Sequence, residues 1–597
     1  MRQRLLVLLA VVTAILGYSQ RTCGFDAHQQ HLEKLHPEMR EARLKAESNL
    51  AKFKKALYTN KINTTFSNGN YSGEIYTIPI VIHVIESSKN EHKVTDEQIR
   101  TWINNTNQMY ATTYGNGFFA EGTGADGGTV IPFRLALAQR SPQCTATTGI
   151  IRYDGSTLNG YDDHGVNSSN NNGATEAQVK ELAPHWPESS YFNIYLITGF
   201  DSNFSNSGLM GWAGYPTNSD SSYESFMKIG AVRNRHDTTL AHEFGHSMGL
   251  DHPFGDADSS GGVCPTNDDC TTDNDKVCDT EPTQSLLSVF PTPDNNTVNP
   301  CTGENYQGVQ YNVMNYTYET KKFTPGQRER ALALFLENRR SLTTSLGATA
   351  PDNNTPAVAA ASCVPQAINN SMNYNTGPTN VTLANLNVSS SGYTTLAPQF
   401  YVDYTAQACI NPAVTANITE KTESEISISI RLNNQYIKAW IDYNNDGIFT
   451  DNEIIANSSA RHDFNTPFIS KFTPPTTTVK DIPLRMRVRA DFNAIPANSC
   501  DNLVYGQVED YAVIIATKLG TNNTNTTQTT KVIYNKTTNR LILSGKDKFG
   551  EYKILDMTGK VLQNGNANSN EIYIFQTLPK GVYIIHFEGI TQKFIIQ

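Results

Sequence analysis

Charge is scarce in this chain. Only 17% of its 597 residues are Asp, Glu, Lys or Arg, against an ordinary share of about 25%, and Asn, Thr and Ser supply the surface polarity instead. The 47 basic and 57 acidic residues leave a net charge of -10 with no concentrated basic stripe, so there is no footprint for a nucleic-acid partner. Long apolar runs are missing as well. The one candidate, Leu5 to Leu16, falls short of the ~20 residues a membrane helix needs, and no transmembrane segment is expected in the mature chain. No sequence period of solenoid length recurs, which excludes a repeat array.

What the short apolar run does fit is export. Arg2 and Arg4 precede it and Gly17, Tyr18 and Ser19 follow, the layout of a signal peptide over residues 1–19. Gln20, Arg21 and Thr22 lack the small and apolar residues of a lipoprotein signal, so no lipid anchor is expected at Cys23. Nine cysteines in an exported chain favour disulfides. The odd count leaves at least one thiol over, and the isolated Cys23 is the candidate. Cys264, Cys270, Cys278 and Cys301 cluster, and their three possible connectivities stay open.

Length suggests about four units. Residues 20–60, with His31 to Lys61 rich in helix formers and Lys/Arg, read as a pro-segment. Residues 61–346 open with IYTIPIVIHVIE, a helical DEQIRTWINNTNQMYATTY, then VIPFRLALAQ and YFNIYLITGF, the beginning of an α/β domain. A small-residue linker at 347–362 separates it from residues 363–516, whose short alternating runs EISISIRL and IKAWIDY predict a β-sandwich. A polar linker, 517–530, leads to a last small β-unit at 531–597. The fold expected is thus multidomain: an α/β catalytic domain with a twisted sheet and an active-site helix, then a β-sandwich module, then a small C-terminal β-sandwich.

The chemistry concentrates in DTTLAHEFGHSMGLDH. Asp237 can cap a helix at the amides of Thr239 or Leu240. His242 and His246, four residues apart, then share a helical face and one metal. Glu243 lies beside that metal, placed to take a proton from water. Gly249 permits a left-handed exit, and His252 returns as third ligand. Three nitrogens leave one position open, the pattern of a catalytic zinc; imidazoles suit zinc, which brings no redox chemistry.

With this extended HExxHxxGxxH signature the sequence resembles the metzincin clan, and YNVMNYTYE resembles its methionine turn, with Met314 under the ligands. Within the clan, IPIVIHVIE, GWAGYP, DKVCDTEP and Met314-Asn315-Tyr316 resemble the pappalysin family over roughly residues 75 to 345. That resemblance implies peptide hydrolysis without a covalent intermediate: Glu243 as general base and acid, Tyr316 stabilising the oxyanion, and protein or peptide substrates. It also implies Glu319 lining the primed-side pocket and selecting Arg or Lys, and calcium held by Asp275, the Val277 carbonyl and Thr280, where Cys278 stands in place of an acidic residue common in relatives. A thiolate is a good zinc ligand, so Cys23 is expected to fill the open zinc position in a latent precursor, as cysteine switches do in several metzincins.

Further on, DYNNDGIFTDNE matches a calcium loop, with Asp442, Asn444, Asp446, the Ile448 carbonyl and Glu453 as oxygen donors between strands. YGQVEDYAV resembles the GEVED domain signature, with Gln507 in place of the usual glutamate, and Glu509 and Asp510 can add ligands. RLILSGKDKFGEYKILDMTGKVLQNG and LPKGVYIIHF resemble the C-terminal sorting domain of type IX secretion, which implies that machinery as a partner and a secreted or cell-surface location reached through the periplasm. The rival expectation is a calcium-stabilised surface adhesin whose protease-like domain only binds.

Overall fold

The computed structural model describes most of residues 21–517 and 531–596. Residues 1–20, 60–65, 169–171, 218–222, 256–261, 352–357, 367–374, 394–399, 494–497, 518–530, 536–539 and 545–549, with some shorter stretches, lie outside the described residues, and with them the predicted leader and most of the second linker. The chain divides into two compact units, Met1–Lys518 and Leu519–Gln597.

The first unit is built on a mixed seven-stranded sheet. Its elements are β1 (Arg21–Cys23), α1 (Phe25–Leu35), α2 (Pro37–Thr59), β2 (Tyr76–Glu86), α3 (Asp96–Tyr110), β3 (Phe133–Leu137), β4 (Ile150–Asp154), β5 (Phe192–Ile197), β6 (Gly208–Ala213), β7 (Glu224–Lys228), α4 (Thr239–Ser247) and α5 (Pro325–Asn338). The strand order is β1-β6-β7-β5-β2-β3, with β4 also against β2. Long β2 serves two neighbours in turn, β3 along Tyr76–Ile80 and β4 along Ile82–Glu86. Its residues 78–85 are buried, as expected of a parallel strand covered on both faces. Helix α3 starts at a Thr95/Gln98 capping box and buries Ile99, Trp102, Ile103, Thr106 and Tyr110, the apolar stripe of an amphipathic helix. Strand β6 alone runs antiparallel to its neighbour β7 within the sheet body, and it stands at that body's edge.

That edge is where the N-terminal segment joins. β1 pairs parallel with β6, Arg21 opposite Gly208 and Cys23 opposite Gly211, and the Gly24 amide donates to the Gly211 carbonyl at 2.8 Å. An edge strand offers unpaired amides and carbonyls to any extended chain, so β1 fills a site another peptide could fill. Behind β1 the stretch rich in helix formers lies in two helices, α1 and α2. Pro37 opens the second, the first-turn position its fixed φ and missing N–H favour.

Beyond the catalytic region a β-sandwich stacks a four-stranded sheet (Pro378–Leu383, Leu386–Ser389, Ser424–Ile430, Phe468–Phe472) on a six-stranded one that contains Tyr436–Ile441, Pro483–Asp491 and Gly506–Ala516. The alternating isoleucines Ile426, Ile428 and Ile430 point into the shared core, each such burial contributing about 1.5–3 kcal/mol. This sandwich is tied to the catalytic region: Cys144 is disulfide-bonded to Cys409, the Leu346 amide donates to the Ile410 carbonyl at 2.6 Å, and Arg140 donates to Ala350 and Cys409 carbonyls. Cys264–Cys301, Cys270–Cys278 and Cys363–Cys500 are the other disulfides, which selects one of the three connectivities left open for the clustered four; Cys23 is free. The second unit is itself a small sandwich of three- and four-stranded antiparallel sheets around Leu541, Ile554, Ile585 and Phe594.

Candidate metal centre

Helix α4 begins one residue later than a cap at Asp237 would set it, yet the Asp237 carboxylate still accepts the Thr239 amide at 2.8 Å. All nine of its residues are buried, so its polar side chains need partners inside the protein. The helix lies directly on the methionine turn: a Cβ at Gly245 would stand 2.4 Å from Met314 Sδ. Gly249 ends it at φ +90°, and a Cβ there would meet Leu334 of α5 at 2.4 Å, so both the backbone angle and the close approach require glycine.

After that turn three imidazoles converge. His242 Nε2, His246 Nε2 and His252 Nε2 stand 3.2 Å from one another in every pairing. Each ring is oriented from behind: His242 Nδ1 donates to the Val313 carbonyl at 2.7 Å, His246 Nδ1 to the Leu250 carbonyl at 2.7 Å and His252 Nδ1 to Asp26 Oδ2 at 2.9 Å. With Nδ1 protonated in each ring, three Nε2 lone pairs face one another in a buried space. Burial, and then the neighbouring rings, push His242 down to about 3 and His246 well below its usual range, so protons do not relieve the repulsion; a cation would. The size fits zinc: nitrogens about 2.05 Å from a tetrahedral zinc stand about 3.3 Å apart.

Cys23 supplies a fourth donor, its Sγ within 4.8 Å of the three nitrogens. Its thiol also donates to Glu243 Oε2 at 3.2 Å. Its backbone occupies Tyr316, whose hydroxyl donates to the Cys23 carbonyl at 3.0 Å and accepts the Cys23 amide at 3.2 Å. Burial, reinforced by the Asp26 and Asp237 carboxylates, raises Glu243 to about 8, and burial beside Glu243 raises the Cys23 thiol well above its usual value. A cation at the imidazoles would draw both down. The residues that follow Cys23 were not singled out from sequence. Phe25 stacks flat on His246 with ring centroids 3.9 Å apart, and Asp26 holds His252.

Beside Glu243, His242 and Tyr316 opens a cavity of about 1190 Å³ that runs under Tyr318 and Thr320. Glu319 is not part of the wall, although Tyr318 and Thr320 on either side of it are; its half-exposed carboxylate takes Lys321 Nζ at 2.7 Å.

The residues expected to hold calcium fall in two places. Asp275 Oδ2 and the Val277 carbonyl each lie 2.6 Å from Thr280 Oγ1, and Asp275, buried, is raised to about 7. In the sandwich loop, Asn445 and Gly447 are left-handed. Asp442 accepts the Asp446 and Gly447 amides, Asn444 Oδ1 also accepts that of Asp446, Asp446 that of Ile448, and Glu453 those of Tyr443 and Thr450. Among the described residues, these carboxylates do not gather their oxygens as closely as the imidazole set does. Glu509 and Asp510 lie elsewhere: Asp510 is salt-bridged to Arg487 and Glu509 accepts the Tyr511 hydroxyl.

Comparison with known proteins follows the same division. Residues 173–335 match the family described as Pregnancy-associated plasma protein-A, and residues 436–514 match the GEVED domain. No curated protein matches the chain. Among solved structures, a promirolysin mutant from Tannerella forsythia is similar at 19% identity and a TM-score of 0.37, over 56% of this chain and all of that one. Mature mirolysin from Tannerella forsythia in complex with a cleaved peptide is similar at 20% identity and a TM-score of 0.33, over 47% of this chain and 99% of that one.

Proposed function

We propose that this chain, whose catalytic region is a metallopeptidase domain of the pappalysin family, is a secreted zinc endopeptidase made as a latent precursor that cleaves extracellular proteins. The observation that carries the reading is the ring of three inward-facing Nε2 atoms with Glu243 beside it and Tyr316 at its rim. His242, His246 and His252 are the residues that would hold zinc. When bound, zinc supplies a Lewis acid that polarises the scissile carbonyl and makes water a better nucleophile.

The remaining steps belong to the chain. With Cys23 gone, Glu243 accepts the proton of the attacking water and returns it to the leaving nitrogen. The Tyr316 hydroxyl, released from the Cys23 backbone, donates to the oxyanion of the tetrahedral intermediate. Met314 supports the ligands from below. The edge of β6 takes the substrate backbone in place of β1, and the large cavity takes the side chain after the scissile bond. A preference there for Arg or Lys would act at the cavity mouth, through Glu319 freed from Lys321. The cleavage profile of the processed protein is expected to favour basic residues after the cut, and Glu319→Ala to erase that bias; an apolar profile in the unmodified protein rejects the preference.

Calcium is proposed as a structural ion at Asp275, Val277 and Thr280 and at Asp442, Asn444, Asp446, Ile448 and Glu453, on the strength of their oxygen-only donor sets. Chelation should abolish hydrolysis and lower the melting temperature together. Zinc added back alone should restore hydrolysis, and calcium alone the melting temperature. Hydrolysis that survives complete removal of zinc overturns the proposed function. Four disulfides fit an oxidising compartment, and among the described residues no helix is long and apolar enough to cross a membrane. We further propose that residues 531–597 address the chain to type IX secretion. Their deletion should leave the protein in the periplasm, and normal appearance outside the cell would refute that role.

A further inference from the structure

Next to the metal centre, the pro-segment inserts a carboxylate into a site built of catalytic-domain residues. Glu47 of α2 meets the Arg330 guanidinium of α5 in bidentate fashion, Oε1 to NH2 at 2.5 Å and Oε2 to NH1 at 3.1 Å. The Tyr215 hydroxyl donates to Glu47 Oε1 at 2.6 Å, and Lys276 Nζ lies 3.5 Å from the same oxygen. The receiving side is held without help from the pro-segment: Arg330 Nε donates to the Gly249 carbonyl at 2.7 Å, Arg330 NH2 to Asp251 Oδ2 at 3.2 Å, and Lys276 to Asp251 Oδ2 at 2.7 Å. Arg330 is fully buried. With Glu47 in place two cations face two carboxylates. Once the segment is removed, Asp251 is the carboxylate still paired with Arg330 and Lys276, and the Tyr215 hydroxyl, left with the Arg330 hydrogen bond at 3.0 Å, has its proton to donate.

Its position ties it to the cleft. Tyr215 follows β6 by two residues, on the strand edge where Cys23 pairs. The Phe25 ring, lying on His246, is 6.3 Å from the Tyr215 ring. With the residue after the cut in the large cavity, a substrate laid along β6 runs opposite to β1, and its residues before the cut meet Tyr215 on the far side of the metal centre. We propose that Arg330, Tyr215 and Lys276 form a carboxylate-binding subsite of the processed peptidase, filled by Glu47 in the precursor and afterwards by an Asp or Glu side chain of the substrate before the scissile bond. This rests on the proteolytic reading above. Planar, bidentate recognition by a buried arginine gives such a site its selectivity for carboxylate over amide.

The test uses the processed protein and a set of peptides identical except for one Glu, or one Gln, moved through the positions on both sides of the cut. At one position before the cut, kcat/KM is expected to be about tenfold higher for Glu than for Gln, the order of one charge-assisted hydrogen bond. Tyr215→Phe and Lys276→Gln should each bring that ratio towards one. Equal rates for Glu and Gln at every position before the cut, or a ratio that both variants leave intact, overturns the subsite. Cleavage of the Gln peptides by the unmodified protein reports the peptidase itself, so the subsite can fail while the proteolytic reading stands.

Discussion

Glu243→Gln is expected to lower kcat of the processed protein by about 10²–10⁴-fold, with zinc content and melting temperature close to those of the unmodified chain. The variant keeps the volume of a side chain that is 1% exposed and removes only its ability to take a proton. In the processed protein the rings of His242 and His246 still owe their orientation to the Val313 and Leu250 carbonyls, not to Glu243, which is why the metal should stay. Tyr316→Phe, which deletes one oxyanion donor, should cost about 10²–10³-fold in kcat with a smaller change in KM. The double variant should lose less than the product of the two, because both groups serve one transition state. Activity above one tenth of normal in Glu243→Gln, measured with its zinc in place, would remove Glu243 from the chemistry and with it the mechanism.

Local spacing explains why so much of this centre could be read from sequence. Two histidines four apart on a helix share a face whatever surrounds the helix, and a glycine followed by His252 fixes the return; both are properties of a dozen contiguous residues. The strands at Tyr76–Glu86, Phe133–Leu137 and Phe192–Ile197 were legible for a similar reason, as apolar runs of the length of buried strands. What escaped notice depends on distant pairing. Asp26 reaches His252 across 226 positions, and Glu47 reaches Arg330 across 283; no periodicity reports such contacts. The Cys144–Cys409 disulfide spans 265 residues, and spacing alone offers no reason to prefer it. Glu319 is a different case. It stands between Tyr318 and Thr320, which line the cavity, yet its own carboxylate goes to Lys321, and a segment with no regular period offers no rule for which side chains face in. The break before Pro37 was readable, since proline suits a helix start far better than a helix interior.

Cys23→Ala in the full-length precursor is expected to raise hydrolysis of a small peptide at least tenfold over the unmodified precursor, while leaving it below the processed protein. The first half follows from how many reacting groups this one residue engages. Its sulfur lies within 4.8 Å of the three imidazole nitrogens and on the Glu243 carboxylate, and its backbone holds the Tyr316 hydroxyl. Removing the sulfur clears the place of the attacking water and frees the base. The second half follows from what alanine retains: the β1 pairing with β6, the backbone on Tyr316, Phe25 on His246 and Glu47 on Arg330. Cys23→Ser should behave as alanine does, because a neutral hydroxyl binds zinc far less well than a thiolate. A serine variant as silent as the unmodified precursor, together with an equally silent alanine variant, would mean that the segment blocks the cleft by bulk alone. In that case adding Glu47→Gln and Phe25→Ala to the alanine variant should be what releases activity, and the sulfur would have no part in latency.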